Sequence, residues 1–194
     1  MIRTMFIARN ADPSVWEVLR NVRNACVDGL TGVRQPVTPG AQEIYRRTYS
    51  EHIRHYLFMD NSSGALSPIG FARIAMRDGF AWPSCGVPSW ARGKGYGWEV
   101  VKRTLLLAGS DMKGELLLSN KAIQHIDYAL GWVNDGPPKG DVQPIKCSWP
   151  PPFVKLGQQT QQESFDEIVR YHENLGDGLA AGDRSGCSCD RRSH

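Results

Sequence analysis

Residues 92–97 read Arg-Gly-Lys-Gly-Tyr-Gly, three glycines and two cations in six positions. Glycine lets a backbone come close to a ligand and adopt positive φ, so successive N–H groups can converge on one point. The stretch runs into a helical pattern with Val101, Thr104, Leu105 and Ala108 on one face, which adds the positive end of a helix dipole. Arg92 and Lys94 bring side-chain charge to the same place. A pyrophosphate is the guest that such a cradle suits. The dinucleotide fingerprint, which needs different glycine spacing, an opening βαβ unit and an acidic residue about 20 positions on, does not fit. Neither does a Walker loop, because Gly97 is followed by Trp98 rather than by Lys and Ser or Thr. A kinase glycine-rich loop lies between two strands, whereas this one opens a helix.

The elements that must hold this loop can be traced along the chain. Residues 3–8 make a short strand. Asp12 then caps a helix with Pro13 at its first position, Val15, Leu19, Val22 and Cys26 at helical spacing, and Gly29 as its stop. After a Gly- and Pro-bearing loop over 29–40, a second helix is predicted from Ala41 to about Arg54, with Ile44, Tyr45, Tyr49, His52 and Ile53 along one side. Strands at 55–59, 69–76 and 80–87, joined by Asp60-Asn61-Ser62-Ser63-Gly64 and Arg77-Asp78-Gly79, form an antiparallel meander. Beyond the glycine loop and its helix come a strand at 114–119, a short helix at 120–130, a strand starting at Gly131-Trp132-Val133 and a last one at 142–149. This is an α/β (α+β) chain with a mixed, mainly antiparallel sheet flanked by helices.

In this setting Arg92-Gly93-Lys94-Gly95-Tyr96-Gly97 resembles the Arg/Gln-x-x-Gly-x-Gly/Ala motif of the GCN5-related N-acetyltransferases, the GNAT superfamily. The order of elements is similar as well. So is the stretch Leu116-Leu117-Leu118-Ser119-Asn120 followed by Tyr128-Ala129-Leu130-Gly131-Trp132. The resemblance spans roughly residues 1–149, taken as the catalytic domain. It implies acetyl-coenzyme A as co-substrate, its pyrophosphate on Arg92, Gly93, Lys94, Gly95, Tyr96 and Gly97. Asn120, and Cys85, Gly86 and Val87 on the third meander strand, would complete the cofactor site. The backbone around Ser84–Val87 would hold the pantetheine and polarise the thioester carbonyl. An acetyl group would then pass to a primary amine by direct transfer in a ternary complex.

Two departures from the family pattern bear on chemistry. The proline of Val87-Pro88-Ser89 stands one position early, although the Val87 to Arg92 spacing is kept. The tyrosine that in relatives protonates the leaving thiolate falls four residues before the Gly-aromatic pair. Here that position is Asp127, with Tyr128 beside it, about 100° away round the helix. Either Tyr128 serves from a shifted helix, or another group or water does. The third meander strand, Phe80–Gly86, has no carboxylate for a general base, leaving His125, Asp127 or a water relay, while an amine of low pKa would need no base at all. Cys85 is either a nucleophile for a two-step route or a small core thiol. Trp82, Trp90, Trp98 and Trp132 fall around the cleft, with Trp90 and Trp98 placed to line a flat acceptor site.

The 194 residues carry 41% hydrophobic and 22% charged side chains and a net charge of +3. That charge is too small to argue for nucleic acid or a membrane surface. No apolar run approaches the roughly 20 residues of a spanning helix, and the five scattered cysteines make no disulfide framework. A cytoplasmic location is expected. A macromolecular acceptor would need a basic rim, for which Arg46, Arg47, Arg54 and Arg73 are the candidates, and a non-catalytic interaction module is the remaining alternative. Residues 150–194 form an extension. Trp149–Phe153 should be extended, and 161–175 reads as an amphipathic helix that packs on its own domain or across a homodimer interface. Past Gly176 the chain should be mobile. The tail pair Cys187 and Cys189, even with His194, falls short of enclosing zinc.

Overall fold

A computed structural model describes residues 1–32 and 34–155. The strand β1 (Ile2–Ile7) is followed by helices α1 (Pro13–Asn24) and α2 (Pro39–Thr48). The meander is β2 (Ile53–Asp60), β3 (Ser67–Arg77) and β4 (Phe80–Gly86). Then come α3 (Tyr96–Ala108), β5 (Met112–Leu117), α4 (Lys121–Ala129), β6 (Val133–Asn134), β7 (Val142–Cys147) and a last helical turn, α5 (Pro152–Lys155). The seven strands form one sheet in the order β1-β2-β3-β4-β5-β7-β6. Every neighbouring pair is antiparallel except β4 and β5.

Side-chain alternation divides the sheet's residues between two layers. On one face Ile7, Leu57 and Phe71 pack against Trp16, Leu19 and Val22 of α1, with Tyr49 completing the cluster. On the other, α3 buries Val100, Val101, Thr104 and Leu105. It lies so close to β3 that a Cβ on Gly70 would stand 2.7 Å from a Val100 methyl. Local signals set the helix starts. The Asp12 carboxylate accepts from Ser14 N–H at 2.8 Å, the Thr38 hydroxyl from Ala41 N–H at 3.2 Å and the Asn120 side chain from Ile123 N–H at 3.3 Å.

The second helix is shorter than its pattern predicts. It ends at Thr48, Tyr49 turns extended, and Ile53 and Arg54 pair with Ala75 and Ile74 in the sheet. Tertiary pairing overrides the helical period there. The stretch expected to be extended through Phe153 instead begins a helical turn at Pro152, whose ring packs on Gly131. The amphipathic stretch 161–175, the tail beyond Gly176 and the Cys187–Cys189 pair lie outside the described residues. Among the described residues no helix is long and apolar enough to cross a membrane.

Candidate active site

The sheet opens at one place. Strands β4 and β5 share a single register pair, Ala81 with Met112, where Ala81 N–H donates to the Asp111 carbonyl at 2.9 Å. Backbone N–H groups on one edge of a strand recur every second residue. The next that could reach β5 belongs to position 83, which is proline and has none. The ladder stops, and the strands diverge. By the same period Cys85 turns its N–H toward the gap, with no β5 residue in register opposite it.

Two cavities meet at this divergence, each of about 630 to 640 Å³, and both are lined by Gly29, Leu30, Cys85, Val101 and Ile123. One runs along the glycine loop. Gly93 and Gly95 have φ of 75° and 79°, and the amides of Gly93–Trp98 find no backbone acceptor among the described residues. Gly86, Val87, Arg92, Gly97 and Asn120 also line it. The Arg92 guanidinium donates to both oxygens of Asp28, at 2.7 and 2.8 Å, and to the Val87 carbonyl at 3.2 Å. That pairing holds the Asp28 carboxyl below its ordinary range. Lys94 and Tyr96 are not part of the lining. Lys94 is exposed, and the Tyr96 hydroxyl donates to Asp60 at 2.6 Å, tying the loop to the end of β2.

The second cavity lies on the α1/α2 side, between the diverging strands. Asp127 reaches it from α4. Only 7% of this residue is exposed, and no hydrogen bond or ion pair engages its carboxylate among the described residues. Burial alone pushes it up to about 7. Burial pushes up the thiols of Cys85, to about 12, with the Asp127 charge adding to it, and of Cys147, to about 11, with the charges of Asp111 and then Asp127 adding to it. Cys85 is therefore protonated at neutral pH and ill suited to attack as a thiolate. Further along, His55 is buried beside Trp16, Tyr45 and Tyr49, and its Nε2 shares a 3.0 Å hydrogen bond with the Tyr45 hydroxyl. Burial, with Arg73 nearby, pulls it down to about 4, so it is neutral.

No family model and no curated protein matches the sequence. Solved structures do. The spermidine N-acetyltransferase from Vibrio cholerae in complex with CoA and spermine is 13% identical over 76% of this chain and 95% of that one, with a TM-score of 0.59. The Salmonella typhimurium protein yncA with its cofactor acetyl-CoA is 15% identical over 76% and 93%, with a TM-score of 0.57. The chain has the GNAT fold.

Within that fold only one of the three proton-transfer candidates reaches the cleft, and it is Asp127. Tyr128 is 42% exposed and its hydroxyl donates to Asn134 at 2.8 Å. His125 is exposed on α4, and neither residue lines either of the two cavities. Trp90 is half exposed, donates to the Pro68 carbonyl at 3.0 Å and lines neither cavity; Trp98 flanks the loop, and Trp82 and Trp132 line the second cavity. The four arginines do not make one rim. Arg46 and Arg47 pair with Glu43, and Arg54 and Arg73 face opposite sides of the sheet because they pair with Ile74 and His55. The sequence marks Pro83 only as part of the third meander strand and Tyr45 only as a helix-face residue, with no role at the site for either. A proline in the middle of a strand next to a phosphate loop was the signal for the first. The second offered none, since its partner His55 lies on a different element.

Proposed function

We propose that the protein is an acyl-coenzyme A-dependent N-acyltransferase that moves an acetyl group to an amine by direct transfer. The observation that carries this reading is the junction of the two cavities at the β4–β5 divergence. It joins an anion cradle to a pocket containing one buried, unpartnered carboxyl. Bound acetyl-coenzyme A supplies the activated acyl group. The Gly93–Trp98 amides and Arg92 would take its pyrophosphate, with the dipole of α3 behind them. The gap between β4 and β5 would take the pantetheine, and the Cys85 N–H would donate to the carbonyl oxygen as it gains charge.

Asp127 is the proton carrier in this reading. The neutral amine attacks the carbonyl carbon, the C–N bond forms and the C–S bond breaks. The ionised carboxyl takes the proton that nitrogen gives up and returns it to the departing sulfur. A group titrating near 7 holds and releases a proton about equally well at neutral pH. The protonated state of Cys85 supports a route without an acyl-enzyme. Incubation with acetyl-coenzyme A and a set of primary amines, following free thiol, tests the activity. Calorimetry with coenzyme A tests the cradle, and no binding there overturns the reading.

A further inference from the structure

The second cavity contains more positive charge than an amine pocket needs. Arg20, Arg23, Arg73 and Arg77 line it, against the carboxyls of Asp127 and Glu115. Two of the four are occupied. Arg20 lies 3.5 Å from Glu17, and Arg23 donates to the Gln35 carbonyl at 2.6 Å and to Asn24 at 3.2 Å. Arg77 is exposed and stands 5.8 Å from the centre of the Trp82 ring. Arg73 is different. It is half-buried on the cavity face of β3, in register with His55 on one side and Ser84 on the other. Its Nε donates to the Tyr45 hydroxyl at 3.3 Å. No carboxylate lies within ion-pair distance of it among the described residues, and its guanidinium tip has no acceptor there.

A partly buried guanidinium without a counter-ion is costly, and its flat fork matches a carboxylate or phosphate through two parallel hydrogen bonds. The neighbours reinforce the vacancy. Tyr45 orients the fork through Nε, and His55 stays neutral and so adds no competing charge. We propose that the amine acceptor carries an anionic group, a carboxylate or a phosphate, and that Arg73 holds it while the amine lies toward Asp127. Arg77 on the same face of β3, four residues along, adds attraction at the outer end. A polycation of the spermine type would meet two unneutralised guanidinium groups in this cavity and be disfavoured.

This rests on the acetyl-transfer reading, and the test separates the two. Product analogues matched except for the anion are titrated by calorimetry into the full chain saturated with coenzyme A. The pairs are N-acetylglycine with N-acetylglycinamide, N-acetylphenylalanine with its amide, and N-acetylphosphoethanolamine with N-acetylethanolamine. N-acetylspermidine is the cationic control. At least one anionic member should bind ten-fold or more tightly than its neutral partner. The pair that shows the preference tells carboxylate from phosphate. Arg73→Gln should reduce that preference to within about threefold, Arg73→Lys should keep part of it, and coenzyme A affinity should be unchanged in both. Equal binding within every pair, tighter binding of N-acetylspermidine, or no binding of any analogue overturns the proposal. The wild-type comparison suffices even if a variant does not fold. Failure of coenzyme A itself to bind removes the acetyl-transfer reading instead.

Discussion

Replacing Asp127 by asparagine tests whether burial has stranded a carboxyl in the cleft. In the folded chain this group titrates near 7, against 3.8 when unperturbed. Between those values the folded protein keeps a proton that the unfolded chain has released. Stability therefore falls as pH rises from about 4 to about 7 and then levels off. At about 1.4 kcal/mol per tenfold change in proton affinity, the carboxyl costs about 1.5 kcal/mol at pH 5 and about 4 kcal/mol at pH 8. Asparagine does not titrate, so whatever its amide costs in the same site is constant with pH. The difference in unfolding free energy should move in favour of Asp127→Asn by about 2.5 kcal/mol from pH 5 to pH 8. That corresponds to roughly 5–10 °C in Tm for a chain of this size. Paired urea unfolding curves at fixed ionic strength measure it. A difference that does not change with pH would show that Asp127 ionises as readily folded as unfolded, and it would lose its place as proton carrier.

The same substitution should lower kcat by about 10²–10⁴-fold and remove the acid limb of the rate profile near pH 7, along which activity rises with pH as the carboxylate forms. Tyr128→Phe should keep a rate within about twofold of wild type, since that hydroxyl is spent on Asn134 outside the cleft; a loss like that of Asp127→Asn would reverse the assignment. Gly95→Val should weaken coenzyme A by at least tenfold in calorimetry. Its φ of 79° strains any side chain, and a branched one would crowd the anion. Asp28→Asn should tighten coenzyme A by up to about fivefold, because an exposed ion pair worth up to about 1 kcal/mol no longer competes for Arg92; weaker binding would show that Asp28 positions Arg92 rather than competing for it. Gly131→Ala should lower Tm measurably in a thermal melt, because its Cβ would stand 2.4 Å from Pro152 at a φ of 101°.

What could be read in advance followed from how local each signal is. The Asp12 cap, the Arg77-Asp78-Gly79 turn and the glycine loop each act over a few residues, and each lies where its pattern placed it. The end of α2 did not, because Tyr49 is drawn out of the helix by ring contacts with Trp16 and His55 from two other elements. The glycine loop was legible as backbone chemistry. The second cavity was not, because its lining comes from α1, α2, β2, β3, β4, α3, β5, α4 and β7, and no spacing along the chain joins them. Arg73 read from sequence as one member of a surface rim. Register alone turns it inward, opposite His55.

In the proposed transfer, an aspartate at the place where the resembled family often has a tyrosine changes what a single residue can do. A phenol with a pKa near 10 can donate to a thiolate at neutral pH, but it takes no proton from an amine. A carboxyl in water would titrate near 4 and be poor at returning a proton to sulfur. Burial without a partner brings Asp127 between those limits, so one group can serve both steps of the proposed transfer. That also accounts for the missing carboxylate on β4, where Phe80–Gly86 has none: a separate base is not required. The position has a consequence for the acceptor. A salt bridge between Asp127 and a cation lodged permanently in the pocket would pull the carboxyl back toward 4 and spoil the match. An acceptor anchored by its own anion on Arg73 leaves Asp127 unpaired until the amine arrives. The unpaired arginine and the unpaired aspartate are then two ends of one requirement.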